Sequence, residues 1–232
     1  MIKTNNLQKA YNGKLVLNLP DLTINKSEIF GLLGNNGAGK TTFFSLILDL
    51  IRASKGNVLI NEINVAKSET WKEQTGSYID ESFTIGYLSP DEYFDFIGEL
   101  RYMNKKDVAL FLDKFKDFFK DEIIGEKKYI RNLSKGNQKK IGVVGALIGN
   151  TDLVLLDEPF ANLDPSSQFQ LREIIKQFAT EQNKTFLISS HNLDNITDVC
   201  SRIVILEKGE VVKDVKKTES TLKELEDFFI RK

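Results

Sequence analysis

Nine consecutive residues constrain this chain more than any others: Gly34-Asn35-Asn36-Gly37-Ala38-Gly39-Lys40-Thr41-Thr42. The spacing is G-x-x-x-x-G-K-[S/T], and its flanks suit it. Ile29-Phe30-Gly31-Leu32-Leu33 is an apolar run of buried-strand length, and Phe43 to Ile51 reads as a helix. Gly34, Gly37 and Gly39 let the backbone turn with unhindered N–H groups facing inward, where they can wrap phosphate oxygens. A helix opening near Gly39-Lys40 adds the positive end of its dipole. Lys40 brings a charge to the terminal phosphates, and the Thr41 hydroxyl can ligate Mg²⁺. An ordinary glycine-rich turn would need neither the lysine nor the hydroxyl. The stretch therefore predicts a nucleoside triphosphate site between a strand and a helix.

The bulk numbers narrow the class. A net charge of −1 over 232 residues argues against nucleic acid as the principal partner. A single cysteine, Cys200, excludes an internal disulfide and suits a reducing compartment. The first residues carry no signal-peptide core, and no run approaches the roughly 20 apolar residues that span a bilayer. A soluble protein is expected, with any membrane role exercised through a partner.

Residues 1–33 read as β-rich, with Asn12-Gly13 as a hairpin turn and Tyr11 just before it. A strand pair follows at 57–65, while 66–79 is too polar to assign. Ser89-Pro90-Asp91-Glu92 is a helix start, and amphipathic runs follow at 93–102 and 108–119, rich in phenylalanine. That stripe reads as core, with part of it available for docking. Ser134 can cap a helix through Ile148. Leu153-Val154-Leu155-Leu156 is a strand ending in Asp157-Glu158. After Asn162-Leu163-Asp164-Pro165 comes a helix, then Thr185–Ser190 as a strand ending at His191, the only histidine. A strand pair near 203–212 and an amphipathic helix at 221–230 close the chain. Apolar strands alternating with helices predict a mostly parallel α/β sheet covered on both faces. Beside a phosphate loop, Asp157 can hold Mg²⁺ and Glu158 can act as general base toward a water attacking the γ-phosphate.

In this order, these segments resemble the ATP-binding subunit of ABC transporters over essentially the whole chain. Gly34–Thr42 resembles the Walker A motif and Leu153–Glu158 the Walker B motif. Leu133-Ser134-Lys135-Gly136-Asn137 resembles the Leu-Ser-Gly-Gly-Gln signature, Asn162-Leu163-Asp164 the D-loop, and His191 the switch histidine. Ser134 precedes Asp157 by 23 residues and His191 follows it by 34, as in the family.

The resemblance implies one ABC-type P-loop domain over residues 1–232, with an N-terminal antiparallel β subdomain and a helical subdomain inserted at about 81–145. It implies ATP hydrolysis with ATP and Mg²⁺ as cofactors. Tyr11 would stack on adenine, residues 34–42 would cradle the phosphates, and Thr41 and Asp157 would hold the metal. His191 would contact the γ-phosphate and orient Glu158. Ser134, Lys135, Gly136 and Asp164 would complete the site of a second copy or of a paralogous ATPase subunit. An integral membrane permease would be the other partner, placing the protein on the cytoplasmic face of the membrane. The Leu-Ser-Lys-Gly signature and the last helix resemble export systems. Two departures stand out. Lys135 and Asn137 replace a glycine and a glutamine of the signature, and Asp80, with Glu81 beside it, occupies the place of the metal-sensing glutamine. The alternative is an ABC ATPase without a permease, such as an assembly scaffold. A P-loop kinase or GTPase is disfavoured by the signature and by the absence of Asn-Lys-x-Asp.

Overall fold

The computed structural model describes residues 1–230 and contains two sheets. The first is antiparallel: β1 (Ile2–Tyr11), β2 (Lys14–Leu19), β3 (Leu22–Ile24), β5 (Lys55–Ile60) and β6 (Ile63–Asn64), in the order β2-β1-β5-β6 with β3 also paired to β1. Asn12 and Gly13 take positive φ, 50° and 79°, as a tight hairpin turn matched to strand twist requires. The second sheet runs β11-β10-β4-β9-β8-β7. It comprises β4 (Ile29–Leu33), β7 (Thr75–Tyr78), β8 (Leu153–Leu156), β9 (Thr185–Ser190), β10 (Arg202–Glu207) and β11 (Glu210–Lys216). Every pairing in it is parallel except β10 with β11. Strands β8 and β9 are buried at every position, which is why they read as unbroken apolar runs rather than alternating ones.

Between Tyr78 and Leu153 every element is helical. Helix α2 (Pro90–Leu100) opens with a capping box: Ser89 accepts from the Glu92 backbone N–H while the Glu92 carboxylate accepts from the Ser89 N–H. Helices α3 (Lys105–Leu112) and α4 (Lys116–Phe119) flank a single tighter turn at Asp113–Phe115, so the expected run over 108–119 is one stripe on three pieces. Phe94, Phe115, Phe118 and Phe119 are buried, and Phe115 lies 5.9 Å from Phe178 of α6 (Pro165–Glu181). Burying each such ring contributes about 1.5–3 kcal/mol, which welds the helical region to the main core.

Two expectations shift. Helix α1 spans Lys40–Ile47 rather than reaching Ile51, because Asp49 turns left-handed (φ 54°) and pairs with Arg52 at 3.0 Å. The unassigned stretch 66–79 holds a 3₁₀ turn, Thr70–Gln74, and then β7. The remaining helices are α5 (Lys135–Leu147), α7 (Leu193–Val199) and α8 (Thr221–Ile230). Cys200 is wholly buried. No described helix is long and apolar enough to cross a membrane.

Candidate functional site

Parallel pairing fixes where the chemistry converges. Leu33 of β4 pairs with Ser190 of β9, and Leu156 of β8 pairs with Ile188. All three strands therefore end on one edge, and the residues that follow are Gly34, Asp157-Glu158 and His191. The carboxyl edge of an open α/β sheet is where ligands bind.

The loop has the backbone its glycines require. Gly37 and Gly39 have φ of 80° and 106°, and a Cβ on Gly34 would lie 2.4 Å from the Leu206 carbonyl oxygen. The loop is thus pinched against the end of β10 at Gly34, where a side chain would spread it, while Gly37 is required for its left-handed backbone. Helix α1 has Gly39 at its N-cap with no side-chain cap bond. By contrast α2, α3, α5, α6 and α7 are capped by Ser89, Asn104, Ser134, Asp164 and Asn192. The N–H groups of α1 left uncapped at the loop are suited to an anion. Lys40 is buried, and its Nζ donates to the Gly34 carbonyl at 2.6 Å and the Asn35 carbonyl at 3.3 Å.

Around Lys40 the predicted acid, base and metal residues form one network. Asp157, 3% exposed, accepts hydrogen bonds from the Thr41 hydroxyl (2.5 Å) and from Ser189 Oγ. Burial raises the Asp157 carboxyl above its usual range, and the two hydroxyls oppose that shift. Glu158 has φ of 47°, a left-handed backbone unusual for this residue type. That turn aims its carboxylate across the sheet edge: Oε1 lies 3.2 Å from Lys40 Nζ and Oε2 lies 2.9 Å from His191 Nδ1. Strain of this kind costs about 1–3 kcal/mol and persists only where neighbours enforce it. Here the Glu158 N–H donates to Ser189 Oγ, and its carbonyl accepts from Lys139 Nζ, both at 2.9 Å. Lys139 is buried, and desolvation lowers its pKa.

The donor set suits magnesium, which prefers hard oxygen ligands: a hydroxyl and a buried carboxylate stand together at the mouth of the phosphate loop. Asp80 is placed differently. Its carboxylate caps the turn Glu81–Phe83, accepting from the Ser82 N–H at 2.6 Å, and no hydrogen bond joins it to Thr41 or Asp157 among the described residues. The connection is indirect, since the Asp157 N–H donates to the carbonyl of Tyr78, two residues before Asp80.

Five more of the predicted residues lie outside that network. Tyr11 ends β1 with its ring 46% exposed, beneath Lys9 Nζ at 4.8 Å. The adjoining β2 brings Val16 and Leu17 against Gly39, so the hairpin abuts the loop. Ser134 caps α5, accepting from the Asn137 N–H at 3.2 Å, and Ser134 and Lys135 are exposed. A Cβ on Gly136 would lie 3.0 Å from the Asn162 carbonyl oxygen, so the signature and the Asn162–Asp164 turn pack together. Asp164 caps α6 and is held well below the usual carboxylate range by hydrogen bonds from Ser167, Ser166 and Lys120. No hydrogen bond or ion pair joins Ser134, Lys135 or Gly136 to residues 34–42 among the described residues.

Sequence reasoning overlooked Ser189, Lys139 and Lys120. Ser189-Ser190 at the end of an apolar strand was the available signal for the first. No sequence motif marks either lysine.

A family model described as ABC transporter matches residues 17–161, more than half of the chain. The chain belongs to the ABC transporter ATP-binding family. An uncharacterized ABC transporter ATP-binding protein of Methanocaldococcus jannaschii is 38% identical over 213 residues, covering 91% of this chain and 76% of that protein. The bacitracin transport ATP-binding protein BcrA of Enterococcus faecalis is 30% identical over 225 residues, covering 94% of this chain and 70% of its own. A solved dimeric ATP-binding cassette in a post-hydrolysis state with ADP and Pi shares the fold, with a TM-score of 0.83 at 22% identity over 94% of this chain and 99% of that one. The ABC subunit described here is an ATPase that energises transport.

Proposed function

We propose that two copies of this subunit, or one copy and a paralogous ATPase subunit, close head to tail around two ATP molecules and drive a separately encoded membrane permease. The observation that carries the reading is the Glu158 carboxylate, held between Lys40 and His191 and one residue from the Asp157–Thr41 pair. Residues 34–42 cradle the phosphates, and Lys40 exchanges Glu158 Oε1 for phosphate oxygens as ATP enters. Freed in this way, Oε1 accepts the proton of the attacking water, while His191 keeps Oε2 oriented and faces the γ-phosphate. Thr41 and Asp157 would hold Mg²⁺, with Asp80 as a further candidate ligand, and the ion would supply neutralisation of charge on the phosphates. Tyr11 stacks on adenine. Ser134, Lys135, Gly136 and Asp164 of the second copy close over the γ-phosphate, because within one copy they lie apart from the loop.

The permease docks near Asp80–Ser89 and the aromatic helices that follow, with the subunit at the cytoplasmic face of the membrane. The Leu-Ser-Lys-Gly signature and the final amphipathic helix favour the export direction. The test is Glu158→Gln. Hydrolysis should fall at least about 10²-fold while ATP binding persists, read by phosphate release and nucleotide titration. Parent-like hydrolysis would remove Glu158 as the base.

A further inference from the structure

Helix α8 does not figure in the site above, yet its last turn stands on the rim of the phosphate loop. The helix is moored by buried Thr221 and Leu225, by an ion pair of Glu224 with Lys213 at 2.6 Å, and by Lys213 over the Phe228 ring at 5.6 Å. Two cavities lie between it and the loop. One, of 370 Å³, runs along Gly34–Ala38 and residues 205–208 to Phe228 and Phe229. The other, of 550 Å³, is walled by Gly34, Asn35 and His191 on one side and by Glu226, Phe229 and Ile230 on the other. Phe229 is 37% exposed and Ile230 81% exposed, an apolar tip beside a polar mouth.

We infer that this tip belongs to the surface that a second copy covers, with Glu226 of one copy meeting Lys135 of the other. The inference rests on the two-copy closure proposed above. Closure brings the N-terminus of α5 from the second copy to the mouth at Gly34–Asn35, where Glu226 stands. Lys135 and Glu226 are both exposed, and neither takes part in an ion pair among the described residues. Apposing them pairs two opposite charges across the seam, while Phe229 and Ile230 leave water. This gives Lys135 a role besides phosphate attraction: it fixes the register of the closing copy against α8.

The test uses the full chain carrying Glu158→Gln, with ATP-dependent self-association followed by sedimentation. Adding Ile230→Asp should weaken association at least about tenfold, since it places a charge in the covered patch. The same change at Leu110, 58% exposed on α3, should alter it by less than about twofold. Glu226→Lys should weaken association about fivefold or more when Lys135 is present and less than about twofold in a Lys135→Ala background. Parent-like association of both α8 variants, or an equal Glu226→Lys effect in the two backgrounds, would overturn the inference. Tighter association would make α8 a brake on closure and would overturn it too. If the Glu158→Gln chain itself stays monomeric with ATP, the two-copy reading fails first and this one falls with it.

Discussion

Helices α1 and α5 both begin at glycine-bearing motifs expected to face phosphate, yet they begin in opposite ways. Helix α1 has no side-chain cap, starts at a buried lysine, and abuts a network of Thr41, Asp157, Ser189, Glu158 and His191. Helix α5 caps itself with Ser134, presents an exposed lysine, and leans on the Asn162–Asp164 turn, itself tied off by Lys120. The first end is preorganised and leaves its N–H groups for a ligand. The second has one of its N–H groups already capped, by Ser134. A built catalytic half, with the lid supplied by a second copy as proposed, suits a cycle of closure and opening.

The comparison breaks first at Lys40. Lys40→Met should lower hydrolysis by about 10³-fold and weaken ATP binding by the isolated subunit, because the open helix end then lacks its charge. Nucleotide affinity within twofold of the parent, measured by titration, would mean the uncapped end is not the anchor. A smaller effect is expected at Ser189. Ser189→Ala leaves the Asp157 carboxylate and the Glu158 N–H each short of a partner, which should cost about 1–3 kcal/mol in urea unfolding and slow hydrolysis about tenfold. On the lid side the effect should nearly vanish. Lys120→Ala removes an exposed pair with Asp164 and should cost less than about 1 kcal/mol in the same unfolding measurement. A loss as large as that of Ser189→Ala would erase the distinction between the two ends.

Much of the built half was legible in the sequence because its chemistry is local. Strand, glycine loop, lysine and helix follow one another, and Asp157-Glu158 ends a run too apolar to be exposed. That the central strands run mostly parallel followed from the alternation of strands and helices, whereas the order that sets β9 between β4 and β8 came only with the structure. What stayed hidden depends on contacts between distant segments. Ser189 looks like a strand end until its hydroxyl meets Asp157, 32 residues away. Lys139 reads as surface charge until its ammonium is found on the Glu158 carbonyl. Asp80 was placed by register alone, and its carboxylate is engaged by its own turn. Helix α8 was correctly bounded at 221–230, but nothing in its periodicity says that it leans toward the phosphate loop.

Whether the site is shared between copies is decided by Ser134→Arg. In a Glu158→Gln chain, this substitution puts a bulky cation where the lid must approach, at a residue that makes no hydrogen bond to the loop of its own copy. ATP binding by the monomer should stay within about twofold of the parent, while the ATP-dependent dimer seen by sedimentation should disappear. A dimer that still forms with ATP, or a monomer that no longer binds it, would contradict a lid supplied by the second copy.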